Sequence, residues 1–192
     1  VLVGGAQKKT ILEKLAKLAG NPASAQRIKT TQRSRNQMTT NKNDFFPPDL
    51  TKRPPRSPRI RLGGYMLLPR MLDKGRAEIA GKGGEYRYSC PLDQRILSFL
   101  GLDSEALREQ LAAGKGDGEI LEWIDANAKH QHSPWEIEQW SDFMQRRGPD
   151  SDAESLQVFA EMVGKLSKTR EDIKTWADLL DLDDHVTFGG KA

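Results

Sequence analysis

From Leu62 onward, apolar residues recur every three or four positions, and each run is bounded by residues that start or stop helices. Leu68, Leu72, Gly75 and Ile79 form the first stripe. Pro69 suits its opening turn, Gly81 closes it, and Lys82-Gly83-Gly84 turns the chain. Pro91 opens a second helix carrying Leu92, Ile96, Leu97, Phe99 and Leu100, stopped by Gly101. Asp103 caps a third with Leu107 and Leu111, and Asp117 caps a fourth with Ile120, Leu121, Trp123 and Ile124. Ser133-Pro134-Trp135-Glu136 is the clearest start signal: Ser at the N-cap, Pro in the first turn and Glu three positions on form a capping box. That fifth helix carries Ile137, Trp140, Phe143 and Met144 and ends near Gly148-Pro149. A sixth runs from Asp152 to Leu166 with Leu156, Phe159, Ala160 and Val163 inward. A seventh starts at Thr169-Arg170-Glu171-Asp172 and bears Ile173, Trp176, Leu179 and Leu180. Only Gly84 to Ser89 reads as a strand, and one strand makes no sheet. The pattern predicts an all-α fold, a compact bundle of about six to seven short helices over residues 62–188.

The first 48 residues break this pattern. Residues 10–19 repeat apolar positions at helical spacing, but residues 21–43 offer almost nothing to bury, so a basic, mostly disordered arm is expected. Met38 opens Met-Thr-Thr-Asn-Lys-Asn, which reads as a bacterial start just ahead of the folded part and would place residues 1–37 outside the native protein; the same basic, hydroxyl-rich arm also has the composition of a nucleic-acid- or membrane-binding segment or of an organellar transit peptide. Residues 49–61 form an extended strap, because Pro54, Pro55 and Pro58 block a helix. Its Lys52, Arg53, Arg56, Arg59 and Arg61 read as a solvated strap across an acidic domain in preference to an anion-binding clasp.

Charge supports that division. Residues 1–60 hold 13 Lys/Arg against 3 Asp/Glu, a net of +10, whereas the remainder carries −7. The basic character therefore belongs to the leading segment. A single cysteine forms no internal disulfide, and no apolar run approaches the roughly 20 residues that span a bilayer. A cytoplasmic protein without a membrane partner is expected.

Specific strings carry a resemblance. Thr51-Lys-Arg-Pro-Pro-Arg-Ser-Pro-Arg59, Arg61-Leu-Gly-Gly-Tyr65, Leu68-Pro-Arg-Met-Leu-Asp-Lys-Gly-Arg-Ala77, Gly84-Glu-Tyr86, Cys90-Pro-Leu-Asp-Gln94 and Trp176-Ala-Asp-Leu-Leu-Asp-Leu-Asp183 are similar to a bacterial family, domain of unknown function 5069. The resemblance runs from about Asp49 to Asp184 and implies a small bacterial helical protein. It implies no reaction, cofactor or catalytic residue.

Candidate chemistry concentrates in two segments. Arg70, Asp73, Lys74 and Arg76 share one helix, with Asp73 three positions from each arginine and so able to orient both. Oriented guanidinium groups bind carboxylates and phosphates in bidentate fashion; the plainer reading is a salt-bridged helix face. Tyr86 and Tyr88 offer an aromatic wall beside them, and Asp93 a further polar group. Cys90 stands directly before Pro91, at a helix N-terminus, where the dipole favours an anion. It is the one candidate nucleophile, with Asp93 or a histidine brought in by folding. His130 and His132 are too few for a metal shell, Gly114–Gly118 lacks the closing Lys-Ser/Thr of a phosphate loop, and Trp123, Trp135, Trp140 and Trp176 fit core packing. No metal or cofactor is expected.

These observations point to a non-enzymatic module binding a small anionic ligand or a protein partner, through Arg70, Asp73, Lys74, Arg76, Tyr86, Tyr88 and Asp93. One alternative is an enzyme using Cys90 as nucleophile in the same cleft. Another assigns nucleic-acid binding to the basic arm; nucleic acid is not the expected partner.

Overall fold

The computed structural model describes residues 47–149 and 151–191, so the expectations for the basic arm and for Met38 lie outside the described residues. Those residues form seven α-helices: α1 Leu68–Ile79, α2 Pro91–Leu100, α3 Ser104–Ala112, α4 Asp117–Asn127, α5 Pro134–Arg146, α6 Ala153–Leu166 and α7 Trp176–Thr187. The all-α reading holds, with one small addition. Arg61–Leu62 (β1) and Tyr65–Met66 (β2) pair antiparallel, with Arg61 opposite Met66 and Leu62 opposite Tyr65. Gly63 and Gly64 connect them at φ +59 and +85. A two-residue turn with both residues at positive φ matches the twist of a hairpin, so Gly-Gly was a legible signal for it. The predicted strand at Gly84 to Ser89 is instead a run of turns, because no neighbour offers it an edge.

Local chemistry sets most helix ends where the sequence placed them. Asp103 accepts from the Ala106 amide at 2.9 Å, Ser133 from that of Glu136 at 3.3 Å, and Asp152 from that of Ser155 at 2.8 Å. Glu136 Oε2 closes the capping box on the Ser133 amide at 2.7 Å, and those bonds hold its carboxyl below the usual range. Two boundaries differ. Gly116 occupies the N-cap of α4 and Asp117 follows as its first residue, which frees the Asp117 side chain for distant partners. The last helix begins at Trp176, not Thr169. Thr175 caps it by accepting from the Asp178 amide at 3.1 Å, and Asp178 returns the bond to Thr175 N at 2.9 Å.

The main core joins α1 to α4 with the hairpin: Leu68, Met71, Leu72, Ile96, Leu97, Leu100, Leu107, Ile120 and Ile124 are essentially inaccessible. A second cluster of Met66, Leu67, Met144 and Ala177 ties the hairpin to α5 and α7. A third, Phe159, Ile173, Leu179 and Leu182, seats α6 on α7. Helix α1 is the hub. All but its last two residues are buried, and Gly75 lets α3 and Tyr88 approach it, since a Cβ there would meet Leu111 Cδ1 at 2.6 Å. Several residues expected to face inward do not: Leu156 and Ala160 of α6 and Trp135 and Phe143 of α5 are exposed, and Ile79 is at the edge. No helix among the described residues is long and apolar enough to cross a membrane.

Candidate functional site

Four charged residues, Arg70, Asp73, Lys74 and Arg76, line one side of α1, opposite the stripe of Leu68, Met71 and Leu72, and all four are buried. Burying charges without partners is prohibitive, so each must be paired. The pairing differs from the expected one. Asp73 receives Arg56, from the segment ahead of the hairpin, through the backbone amide and Nε at 2.9 Å each and Nη2 at 2.8 Å. Helical spacing leaves Asp73 near both helix arginines, but the incoming strand supplies amide and guanidinium together, a more complete set of donors.

Each remaining charge reaches a different element. Arg70 makes a fork-to-fork pair with Asp184 of α7, at 2.6 and 3.0 Å, and its guanidinium carbon lies 5.5 Å from the Tyr86 ring centroid. The Tyr86 hydroxyl donates to the same Asp184 at 2.7 Å. Burial and the adjoining carboxylate together push that phenol upward. Arg76 donates to Asp117 of α4 at 2.6 Å and to the Lys115 carbonyl at 2.9 Å. Arg56 reaches the other Asp117 oxygen at 2.6 Å. Burial raises the Asp117 carboxyl, but the two guanidinium bonds outweigh it and hold the group below its ordinary range. Lys74 donates to Asp93 of α2 at 2.8 Å and lies 3.3 Å from Cys90 Sγ. Ahead of the hairpin, Ser57 and Arg59 bind Asp181 at 2.8 and 2.9 Å, and Arg59 also reaches Asp178. Tyr88 is not a wall of this cluster: it is buried in the main core, its hydroxyl donating to the Ser104 carbonyl at 2.9 Å.

The arrangement brings Arg70 with Tyr86, and Lys74 with Cys90 and Asp93, but it separates Arg70 from Arg76 by directing them to α7 and α4. Asp117 and Asp184, which hold the two arginines, escaped the sequence reading; nothing local marks a carboxylate 114 positions from its partner. One open cleft, about 490 Å³, borders this cluster, between Pro54, Pro55 and Ser57 on one side and Asp181, Asp184, His185 and Phe188 on the other. A second, apolar void of about 10 Å³ lies among Met66, Leu67, Leu92, Met144 and Leu180. Cys90 lines neither. His130 and His132 both meet the Phe99 carbonyl, at 3.2 and 2.7 Å, and the His132 ring stacks on Phe99 at 3.8 Å, with Trp140 on its other side at 4.8 Å. They are packing residues. Among the described residues no group of three or more His, Cys, Asp or Glu could hold a metal ion.

A small helical protein whose central helix is stapled to its neighbours by buried ion pairs is the class this geometry defines. The chain matches the family described as Domain of unknown function (DUF5069) over residues 52–186, well over half its length, and belongs to that family. No curated protein matches the chain.

Proposed function

We propose that this chain is a non-enzymatic binding module whose ligand is a protein partner, engaged through the outer face of α5. The observation that carries the reading is the stripe Trp135, Gln139, Phe143 and Arg146. Its spacing of four, four and three aligns these side chains on one face, with Trp135 66 % and Phe143 57 % exposed. Exposed aromatics two turns apart on a well-capped helix have the composition of interface anchors, and Glu138 and Arg146 supply a polar rim. Helix α6, packed mainly on α7, adds exposed Leu156, Val158 and Met162.

The small-anion reading has less support. The forks of Arg70 and Arg76 hold Asp184 and Asp117, and the neighbouring cleft presents carboxylates of its own at Asp181 and Asp184. An incoming anion would have to displace a buried partner against a cost of about 3–5 kcal/mol. The Cys90 nucleophile reading lacks a substrate cleft in either cavity. The setting we infer is the bacterial cytoplasm, where a lone thiol stays reduced.

Quantitative affinity capture from the producing cell tests the reading, comparing the native chain with Trp135→Ser/Phe143→Ser. A defined protein retained by the first and released by the second supports it. Equal capture by both, or none, overturns it.

A further inference from the structure

Independently of the α5 face, we propose that Cys90 and Lys74 form a site of oxidative modification, at which hydrogen peroxide joins Sγ and Nζ through a single bridging oxygen. Three observations carry it. Cys90 is the N-cap residue of α2, half-buried, and uses no side-chain hydrogen bond to cap the helix. Lys74, buried on α1, places Nζ 3.3 Å from Sγ, a gap that one oxygen atom spans with little movement. Asp93, in the first turn of α2, holds the same Nζ at 2.8 Å through Oδ1, while its Oδ2 is buried with no hydrogen-bond partner among the described residues. A buried carboxylate oxygen left unpaired is costly in a finished fold and calls for a use. With only Lys74 holding it, the Asp93 carboxylate is a base hydrogen-bonded through Oδ1 to an ammonium that must lose a proton before its nitrogen can react.

The chemistry balances in two steps. Sγ attacks one peroxide oxygen, the O–O bond breaks, and Cys90 becomes a sulfenic acid as that peroxide is reduced to water. Lys74 then transfers a proton along its hydrogen bond to Asp93 Oδ1. A second peroxide accepts the two electrons released as Nζ bonds to the sulfenic oxygen, and leaves as two waters. One thiol, one amine and two peroxides thus become one S–O–N bridge and three waters. The bridge ties α1 to the N-cap of α2; a thiol reductant attacking sulfur breaks the S–O bond, returns Cys90 to the thiol through a mixed disulfide, and leaves Nζ as a hydroxylamine.

The test treats the purified full-length chain with hydrogen peroxide, then maps peptides by tandem mass spectrometry under non-reducing conditions. The expected product is a peptide pair joined at residues 74 and 90, heavier than the separate peptides by one oxygen less two hydrogens, and released by dithiothreitol. Recovery of Cys90 only as sulfinic or sulfonic acid, with Lys74 unmodified, overturns the proposal. So does equal bridge formation in urea-unfolded chain, which would remove the role of the folded geometry. Asp93→Asn keeps an acceptor for Lys74 and removes the base; the bridged fraction should fall several-fold while sulfenic acid formation, read by dimedone labelling, persists. An unchanged bridged fraction in that variant removes Asp93 from the mechanism and contradicts the proposal as stated.

Discussion

Replacing Asp184 by alanine strands the Arg70 guanidinium, which is 4 % exposed and has Asp184 as its carboxylate partner at 2.6 and 3.0 Å. What remains for it is the Arg56 carbonyl at 3.3 Å and the face of Tyr86, neither of which neutralises a charge. Removing one member of a buried pair costs about 3–5 kcal/mol, and the Tyr86 hydroxyl loses its acceptor for roughly another 1 kcal/mol. For a chain of this size each kcal/mol moves the melting midpoint by about 2–4 °C, so a fall of about 8–24 °C is expected. Urea titration followed by circular dichroism, with the slope checked for two-state behaviour, gives the free energy directly. The double variant Arg70→Met/Asp184→Leu should recover most of the loss, because removing both charges of a buried pair is often neutral or better. A loss for Asp184→Ala below about 1 kcal/mol, the size of an exposed ion pair, would refute the claim that this charged face holds the helices together. Recovery of Asp184→Ala by added phosphate would show that the emptied fork accepts an external anion.

Other consequences follow from the same packing. Gly75→Ala should destabilise by about 1–3 kcal/mol despite the better helix propensity of alanine, because its Cβ would sit 2.6 Å from Leu111 and 3.1 Å from Tyr88. Ser141 is fully buried, donates to the Gly64 carbonyl at 2.8 Å and accepts from Met66 N at 3.0 Å; Ser141→Ala should cost about 1–3 kcal/mol by chemical denaturation. Asp117 carries a folded pKa below its ordinary 3.8, so its contribution is present above that value and is lost as pH falls through the lower folded one. Asp117→Asn should accordingly flatten the acid limb of a stability-versus-pH profile.

Helix count, most caps and the position of Cys90 at a helix start were legible because they depend on neighbours within four residues. The hairpin at Gly63-Gly64 escaped the sequence reading: its paired glycines mark a turn, but its strands are only two residues each and show no alternation. Pairing was another matter. Charged residues on α1 announce that partners must exist, not which: Arg70 finds a carboxylate on the last helix, and Asp73 binds Arg56 from the segment ahead of the hairpin. Phe143 and Leu156 sit in helical apolar patterns that a core and a docking face would share, and only tertiary packing separates the two. Leu67 illustrates the same limit. It adopts φ 70, a left-handed value rare for leucine, held by burial and by its amide donating to the Pro58 carbonyl at 3.2 Å.

We propose that the charged face of α1 is internal structure and that the outward work of the chain is done by α5. Site-specific photo-crosslinking in the producing cell decides between these roles, with a photoreactive residue at Gln139, between Trp135 and Phe143, and a control at exposed Glu122 on α4. A discrete protein adduct from position 139 and none from 122 is the predicted result. No adduct at 139, or the same adducts from both positions, would contradict it.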